Sequence, residues 1–230
     1  AFRIASPTNN FAADIEPEYI TVSADSKTAW VTLQENNGIA KIDLVTKKIT
    51  QLFFLVYKDY SLAENAIDIS DKDAAVAFNP WKLKGMFQPD AISNFEVNKV
   101  QYIVTANEGD AREYSAFTDV RRINHASVIL DPTIFPNAAA LKADASMGRL
   151  NINTKMGDTD GDGDFDELVG FGARSFSIWN GATGQLVFDS KNELDKKAQE
   201  FGVYDDGRSD DKSVEPEAVY VTKMGDKQIL

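Results

Sequence analysis

The sequence contains no cysteine and a single histidine, His125. No disulfide framework, thiolate metal site or cysteine nucleophile can be built from it. One imidazole also excludes a multi-histidine metal centre within the chain. No apolar run is long enough to span a bilayer. The N-terminus shows no basic-then-apolar targeting pattern. Positive charge is scarce: 24 Lys and Arg stand against 36 Asp and Glu, a formal net charge of -12 over 230 residues. An acidic surface repels phosphate backbones, which argues against nucleic-acid binding, and attracts divalent cations. The basic pairs Lys47-Lys48 and Arg121-Arg122 are too short to reverse this.

What the chain has instead is repetition. Glu16-Pro17-Glu18 precedes the run 19–23, a polar turn, and a second run 29–34. Gln88-Pro89-Asp90 precedes 91–96, a turn near Asn98-Lys99, and 101–106. A third copy starts at Glu215-Pro216-Glu217, continues through 218–222, and turns at Met224-Gly225-Asp226-Lys227. Further period-two hairpins follow the first two copies, at 38–43 with 48–53 and at 175–180 with 185–189. Two hairpins in succession make a four-stranded antiparallel unit, the blade of a β-propeller. The predicted fold is therefore all-β: one β-propeller domain, incomplete within residues 1–230. It has a whole blade at 16–53 and a second built from 88–110 plus 174–189. An insertion spans 111–171, and a partial blade covers 215–230. Propellers close with about four to eight blades, so completion falls to the remainder of a longer protein or to another chain. Two short surface helices are expected. One covers 192–201, with a capping box from Ser190 and Glu193; the other is the Ala-rich 136–147. Leu52–Tyr57, with consecutive Phe and Leu, departs from the turn expected there.

The insertion carries the most distinctive chemistry. Asp158, Asp160, Asp162, Asp164 and Asp166 alternate with other residues, Glu167 follows, and Gly161 and Gly163 permit tight turns. Carboxylates on alternate positions can curl around one hard cation. Calcium accepts six to eight such oxygens in flexible geometry, whereas magnesium prefers to keep its waters. The loop is no standard EF-hand: counted from Asp158, the terminal bidentate position falls on Val169. The plainer alternative is a solvated acidic loop.

Other polar groups cluster at strand ends. Glu108, Asp110 and Arg112 follow the run 101–106, Arg174 precedes 175–180, and Arg208 lies in the acidic stretch before Glu215. Carboxylates for a metal and guanidiniums for an anion are what a metal-assisted phosphoester site needs. Equally, these groups can pair with one another to fasten blade ends. His125 has no Ser or Asp in a triad order, and Trp30, Trp81 and Trp179 fit strand or core packing.

The segments 106–114, 157–164, 171–179 and 208–217 together resemble the choice-of-anchor I family. These are extracytoplasmic bacterial proteins related to mesenchyme-specific cell-surface glycoproteins. The resemblance implies a β-propeller, a secreted, surface or periplasmic location, and calcium. Bacterial members often carry an alkaline phosphatase label. Two function classes follow: a metal-dependent phosphoesterase acting on a phosphoester, and a non-catalytic surface or matrix protein that meets a surface ligand.

Overall fold

Strands form where the alternation places them. In the computed structural model, residues 3–4 and 10–230 are described. A short helix α1 (Phe11–Asp14) is capped by the Asn10 side chain. It leads into β1 (Pro17–Val22), β2 (Thr28–Leu33), β3 (Gly38–Asp43) and β4 (Lys48–Phe54), an antiparallel sheet in that order. The Asp43 carboxylate accepts from the amides of Val45 and Thr46, each at 2.8 Å, and so initiates the β3–β4 turn. Leu52–Tyr57 is strand rather than turn as far as Phe54. Alternation sends Phe53, and Leu55 just beyond the strand, into the core.

After β5 (Tyr57–Asp59) and β6 (Lys84–Met86), the second repeat supplies β7 (Ile92–Val97) and β8 (Val100–Asn107). Asn98 and Lys99 both adopt positive φ, as a two-residue hairpin turn requires. The insertion then holds β9 (Glu113–Tyr114), β10 (Phe117–Thr118), β11 (Val120–Arg122), helix α2 (Ala138–Leu141), β12 (Asn151–Asn153) and β13 (Val169–Gly170). The chain returns as β14 (Ser175–Asn180) and β15 (Leu186–Asp189), completing an antiparallel sheet ordered β7-β8-β14-β15. Asn107 of β8 sits opposite Ser175 of β14, so the insertion leaves and re-enters at one point. Helix α3 (Glu193–Glu200) and the hairpin β16 (Thr222–Met224) and β17 (Lys227–Ile229) follow. The protein is mostly antiparallel β; β13 lies parallel to β6. Among the described residues the sheets do not close into a ring or barrel.

The two four-stranded sheets share one core. Trp30, Ile39 and Phe53 from the first meet Ile92, Ile103 and Trp179 from the second, with Leu55, Phe87 and Ala173 between them. Each buried indole finds an acceptor: Trp30 Nε1 donates to Gly181 O and Trp179 Nε1 to Thr105 Oγ1, both at 2.9 Å. Polar contacts continue the stacking. Asn94 of β7 donates to Thr21 Oγ1 and Val22 O of β1, and Ser93 accepts from Val221 N, ahead of β16. A second core joins the insertion to residues 60–83, with Ile123, Met147, Ile152 and Leu168 packed on Tyr60, Ile67 and Leu83.

Where the insertion departs, two glycines touch. A Cβ on Gly109 would lie 2.2 Å from Gly172 N, and one on Gly172 would lie 2.1 Å from Glu108 O. Both have positive φ, +89° and +72°. Gln88 ties the pair: its carbonyl accepts from Gly109 N, and its Oε1 accepts from Gly172 N.

Three local expectations change. Helix 136–147 shrinks to Ala138–Leu141, because Met147 N bonds Leu141 O and Gly148 N bonds Ala143 O, turning Met147 into the core. Helix α3 forms and is largely exposed, but Asp195 is fully buried. Its capping box is absent, since Ser190 Oγ accepts from Phe176 N instead. The expected strand 218–222 begins only at Thr222.

Candidate metal centre

The acidic loop turns on glycines. Gly157, Gly161 and Gly163 have φ of +110°, +83° and +101°, a region that residues other than glycine rarely enter. The turns at Gly161 and Gly163 are held by the side chain of Asp158, whereas Gly157 accepts from Asp166 N and Glu167 N through its carbonyl. Asp158 Oδ1 and Oδ2 accept from Gly161 N and Gly163 N at 2.7 and 3.1 Å. Asp160 accepts from Asp162 N, and Asp162 from Asp164 N. Asp166 Oδ2 accepts from both the amide and hydroxyl of Thr159 at 2.7 Å. These bonds hold the Asp166 carboxyl below its ordinary range, the Thr159 hydroxyl contributing most.

Two carboxylate groups result, with Asp166 common to both. Oxygens of Asp158, Asp160 and Asp166 lie within 4.8 Å of one another, as do those of Asp131, Asp164 and Asp166. Asp131 is absent from the sequence motif. It arrives because Leu130 bridges Phe165 in parallel and Asp131 N donates to Phe165 O at 3.1 Å. Asp164 Oδ1 is shielded from solvent and has no hydrogen-bond partner among the described residues. Desolvation, then the negative charges of Asp162, Asp131 and Asp166, push the Asp164 carboxyl up. Such an arrangement suits a hard cation with oxygen ligands. Of the remaining expected ligands, Asp162 belongs to neither group, and Glu167 turns away to pair with Lys84 Nζ at 2.5 Å.

The strand-end residues converge only in part: Glu108 and Asp110 lie 4.0 and 3.8 Å from Lys212 Nζ, which pairs at 3.0 Å with Glu215, the partner of Arg208, whereas Arg112 and Arg174 are held elsewhere. Arg112 is buried and pairs with Asp14 at 3.1 Å and Glu16 at 3.2 Å. Arg174, also buried, sits at φ 52° and donates to the backbone carbonyls of Asp68 and Ser209. Glu108 accepts from Gln34 Nε2 at 2.9 Å. Arg208 pairs with Glu215 at 2.6 Å. Only Asp110 and Arg208, with Lys212, line a common cavity, of about 130 Å³. His125 is exposed, with Nδ1 2.8 Å from Ser127 Oγ. Trp30 and Trp179 are core residues and Trp81 packs on the second core.

The third residues of the first two repeat motifs, Glu18 and Asp90, both lie among other acids. Desolvation, followed by Glu108, Glu18 and Glu217, raises the Asp90 carboxyl to about 6. Desolvation, then Glu16, Asp110 and Glu108, raises Glu18.

Among the described residues no helix is long and apolar enough to cross a membrane. No curated protein and no solved structure matches the chain. A family model described as choice-of-anchor I domain matches residues 1–230, the whole length. The chain thus belongs to the choice-of-anchor I family, a domain of cell-surface and extracellular proteins.

Proposed function

We propose that this chain is part of a calcium-stabilised β-propeller that acts at the cell surface as a binding or matrix protein. The observation that carries the calcium reading is the convergence of Asp158, Asp160 and Asp166 with Asp131 and Asp164 on glycine-permitted turns. That many negative charges at close range repel one another unless a cation neutralises them. The ion would order the insertion rather than take part in chemistry. Its ligand oxygens are expected at about 2.3–2.6 Å.

Three features support the propeller. The sheets stack in chain order, β1 touching β7 and Ser93 of β7 touching Val221. Glu18, Asp90 and Glu217, equivalent positions of the three repeats, come within electrostatic range of one point, as acids at the channel end of adjacent blades would. The face of the first sheet turned away from the second exposes Ile20, Val22, Ile49 and Phe54, apolar surface that a further blade would cover. That blade would come from the remainder of the propeller or from another chain.

Calcium affinity in extracellular modules is about 0.1–1 mM. At about 10 mM calcium, linkage then adds roughly 1.4–2.7 kcal/mol. For a chain of this size the melting temperature should rise by about 3–10 °C. Asp160→Ala with Asp164→Ala removes one carboxylate from each group and should abolish the rise while leaving the calcium-free melt nearly unchanged. A melting temperature indifferent to calcium in the unaltered protein would sink the reading.

The phosphoesterase alternative rests on the cavity shared by Asp110, Arg208 and Lys212. It is the weaker reading, because Arg112 and Arg174 are committed to internal partners. Turnover of a phosphomonoester that disappears with chelator and in Arg208→Ala would reverse that order.

A further inference from the structure

Away from the acidic loop, four carboxyl groups and two guanidiniums are gathered where the N-terminal segment crosses the β2–β3 turn. Arg3 pairs with Asp119, and its Nε donates to the Glu35 carbonyl at 2.7 Å. Arg112 pairs with Asp14 and Glu16. Asn36 Nδ2 donates to Arg3 O and to Asp14 Oδ2 at 2.8 and 3.0 Å. Tyr114 of β9 donates its hydroxyl to Glu16 Oε1. Asp14, Glu16 and Asp119 already outnumber the two arginines before Glu35 is counted.

Glu35 is only 7% exposed, and among the described residues its Oε2 is buried with no hydrogen-bond donor. Its carboxyl faces that of Glu16, whose amide donates to the side chain of the next residue, Asn36. Two facing carboxylates repel each other, whereas one proton between them makes a charge-assisted hydrogen bond and satisfies the orphan oxygen. Arg112 Nη1 is shared between Asp14 and Glu16; among the described residues Arg112 Nε and Arg3 Nη2 are buried without a hydrogen-bond partner, so the two guanidiniums act on Glu35 by charge and not by a hydrogen bond.

We propose that Glu35 is held as the neutral acid, donates its proton to Glu16, and thereby latches the N-terminal segment and the β9–β10 arm onto the first sheet in a pH-dependent way. Glu16 is the hinge pin. Its Oε1 takes Arg112 and Tyr114 from the insertion, its amide donates to Asn36 Oδ1 at 3.2 Å, and its carboxylate faces Glu35. Burial first, then Glu16, raises the Glu35 carboxyl to about 8. Tyr114 is raised to about 12, chiefly by its bond to Glu16, and stays protonated throughout.

The sign follows from linkage. Folded protein holds the Glu35 proton up to about pH 8, while unfolded chain releases it near the ordinary glutamate value of 4.5. The stabilisation is therefore complete at low pH and lost as pH rises through that window. Above it, Glu16 and Glu35 repel, and the segment they join loosens.

Hydrogen exchange of residues 10–18 and 113–118 tests this between pH 6 and pH 9.5, after correction for intrinsic rates. In the unaltered protein, protection should fall by up to about tenfold per pH unit from pH 6 to about pH 8, the slope of one proton, and level off above it. Glu35→Gln keeps a donor facing Glu16 and carries no titratable proton, so its protection should be level over the same range. Protection that is level in the unaltered protein, or lost at pH 6 in folded Glu35→Gln, overturns the proposal. Should Glu35→Gln not fold, the carboxyl carbon resonance of Glu35 in the unaltered protein decides. A midpoint well above the ordinary range upholds the latch, and one near 4.5 overturns it.

Discussion

Trp30→Ala should lower the unfolding free energy by about 3–5 kcal/mol, the cost of emptying a buried aromatic site. Trp30 is almost wholly buried between the two four-stranded sheets and touches residues from both. Its Nε1 donates to Gly181 O, in the turn joining β14 and β15, so truncation also strands a buried carbonyl. The indole packs tightly on that turn: a Cβ on Gly181 would already sit 3.1 Å from Trp30 Cζ2. Urea unfolding reads the effect as a lower midpoint at unchanged slope. Trp30→Phe keeps most of the volume and loses the hydrogen bond, so it should fall between the two. A midpoint for Trp30→Ala equal to that of the unaltered protein would mean that the sheets do not share this core.

Gly172→Ala should cost about 2–5 kcal/mol, from a side chain forced to positive φ and from a collision with fixed backbone. The added Cβ would meet Glu108 O at 2.1 Å, and the neighbouring Gly109 leaves no room for the chain to yield. Gly202→Ala is the matched comparison. Gly202 has a similar φ of +69° but nothing within 4 Å of the would-be Cβ, so only the conformational cost of about 1–2 kcal/mol remains. Thermal melts of the two variants separate strain from collision. Equal losses would show that the close approach of Gly109 and Gly172 is not a constraint.

Much of this architecture is legible from patterning alone. In β14 the alternation is plain, with Ser175, Ser177 and Trp179 buried and Phe176, Ile178 and Asn180 only partly so, and a one-residue slip would have turned Trp179 out of the core. The aspartates of the loop are equally legible, because their spacing is local. What escapes the sequence is whatever depends on distant partners. Asp131 reaches the acidic loop through a bridge between Leu130 and Phe165. Glu167 leaves it for Lys84, which β6 places alongside Val169 of β13. Arg112 and Arg174 look free in a linear stretch of charges, yet their partners are Asp14 and the carbonyl of Asp68, about a hundred residues away. Ser190 has the spacing of a helix cap but serves the strand beside it. Short parallel pairings such as β6 with β13 leave too few residues for any period to register.

The point at which the insertion leaves and re-enters the second sheet bears on the order in which the protein folds. In the first sheet every neighbour in space is also the neighbour in sequence, so each pairing closes a short loop. In the second, Asn107 and Ser175 must meet across 68 positions. Closing a loop of that size costs little more at equilibrium than closing a shorter one, because the entropy grows only logarithmically. The rate is affected far more, since sequence-distant contacts slow the search. Pulse-labelled refolding should therefore protect the amides of β2 and β3 first. The β8–β14 seam should gain protection only once the insertion has collapsed on residues 60–83, leaving β7–β8 for that interval as a hairpin with an open edge.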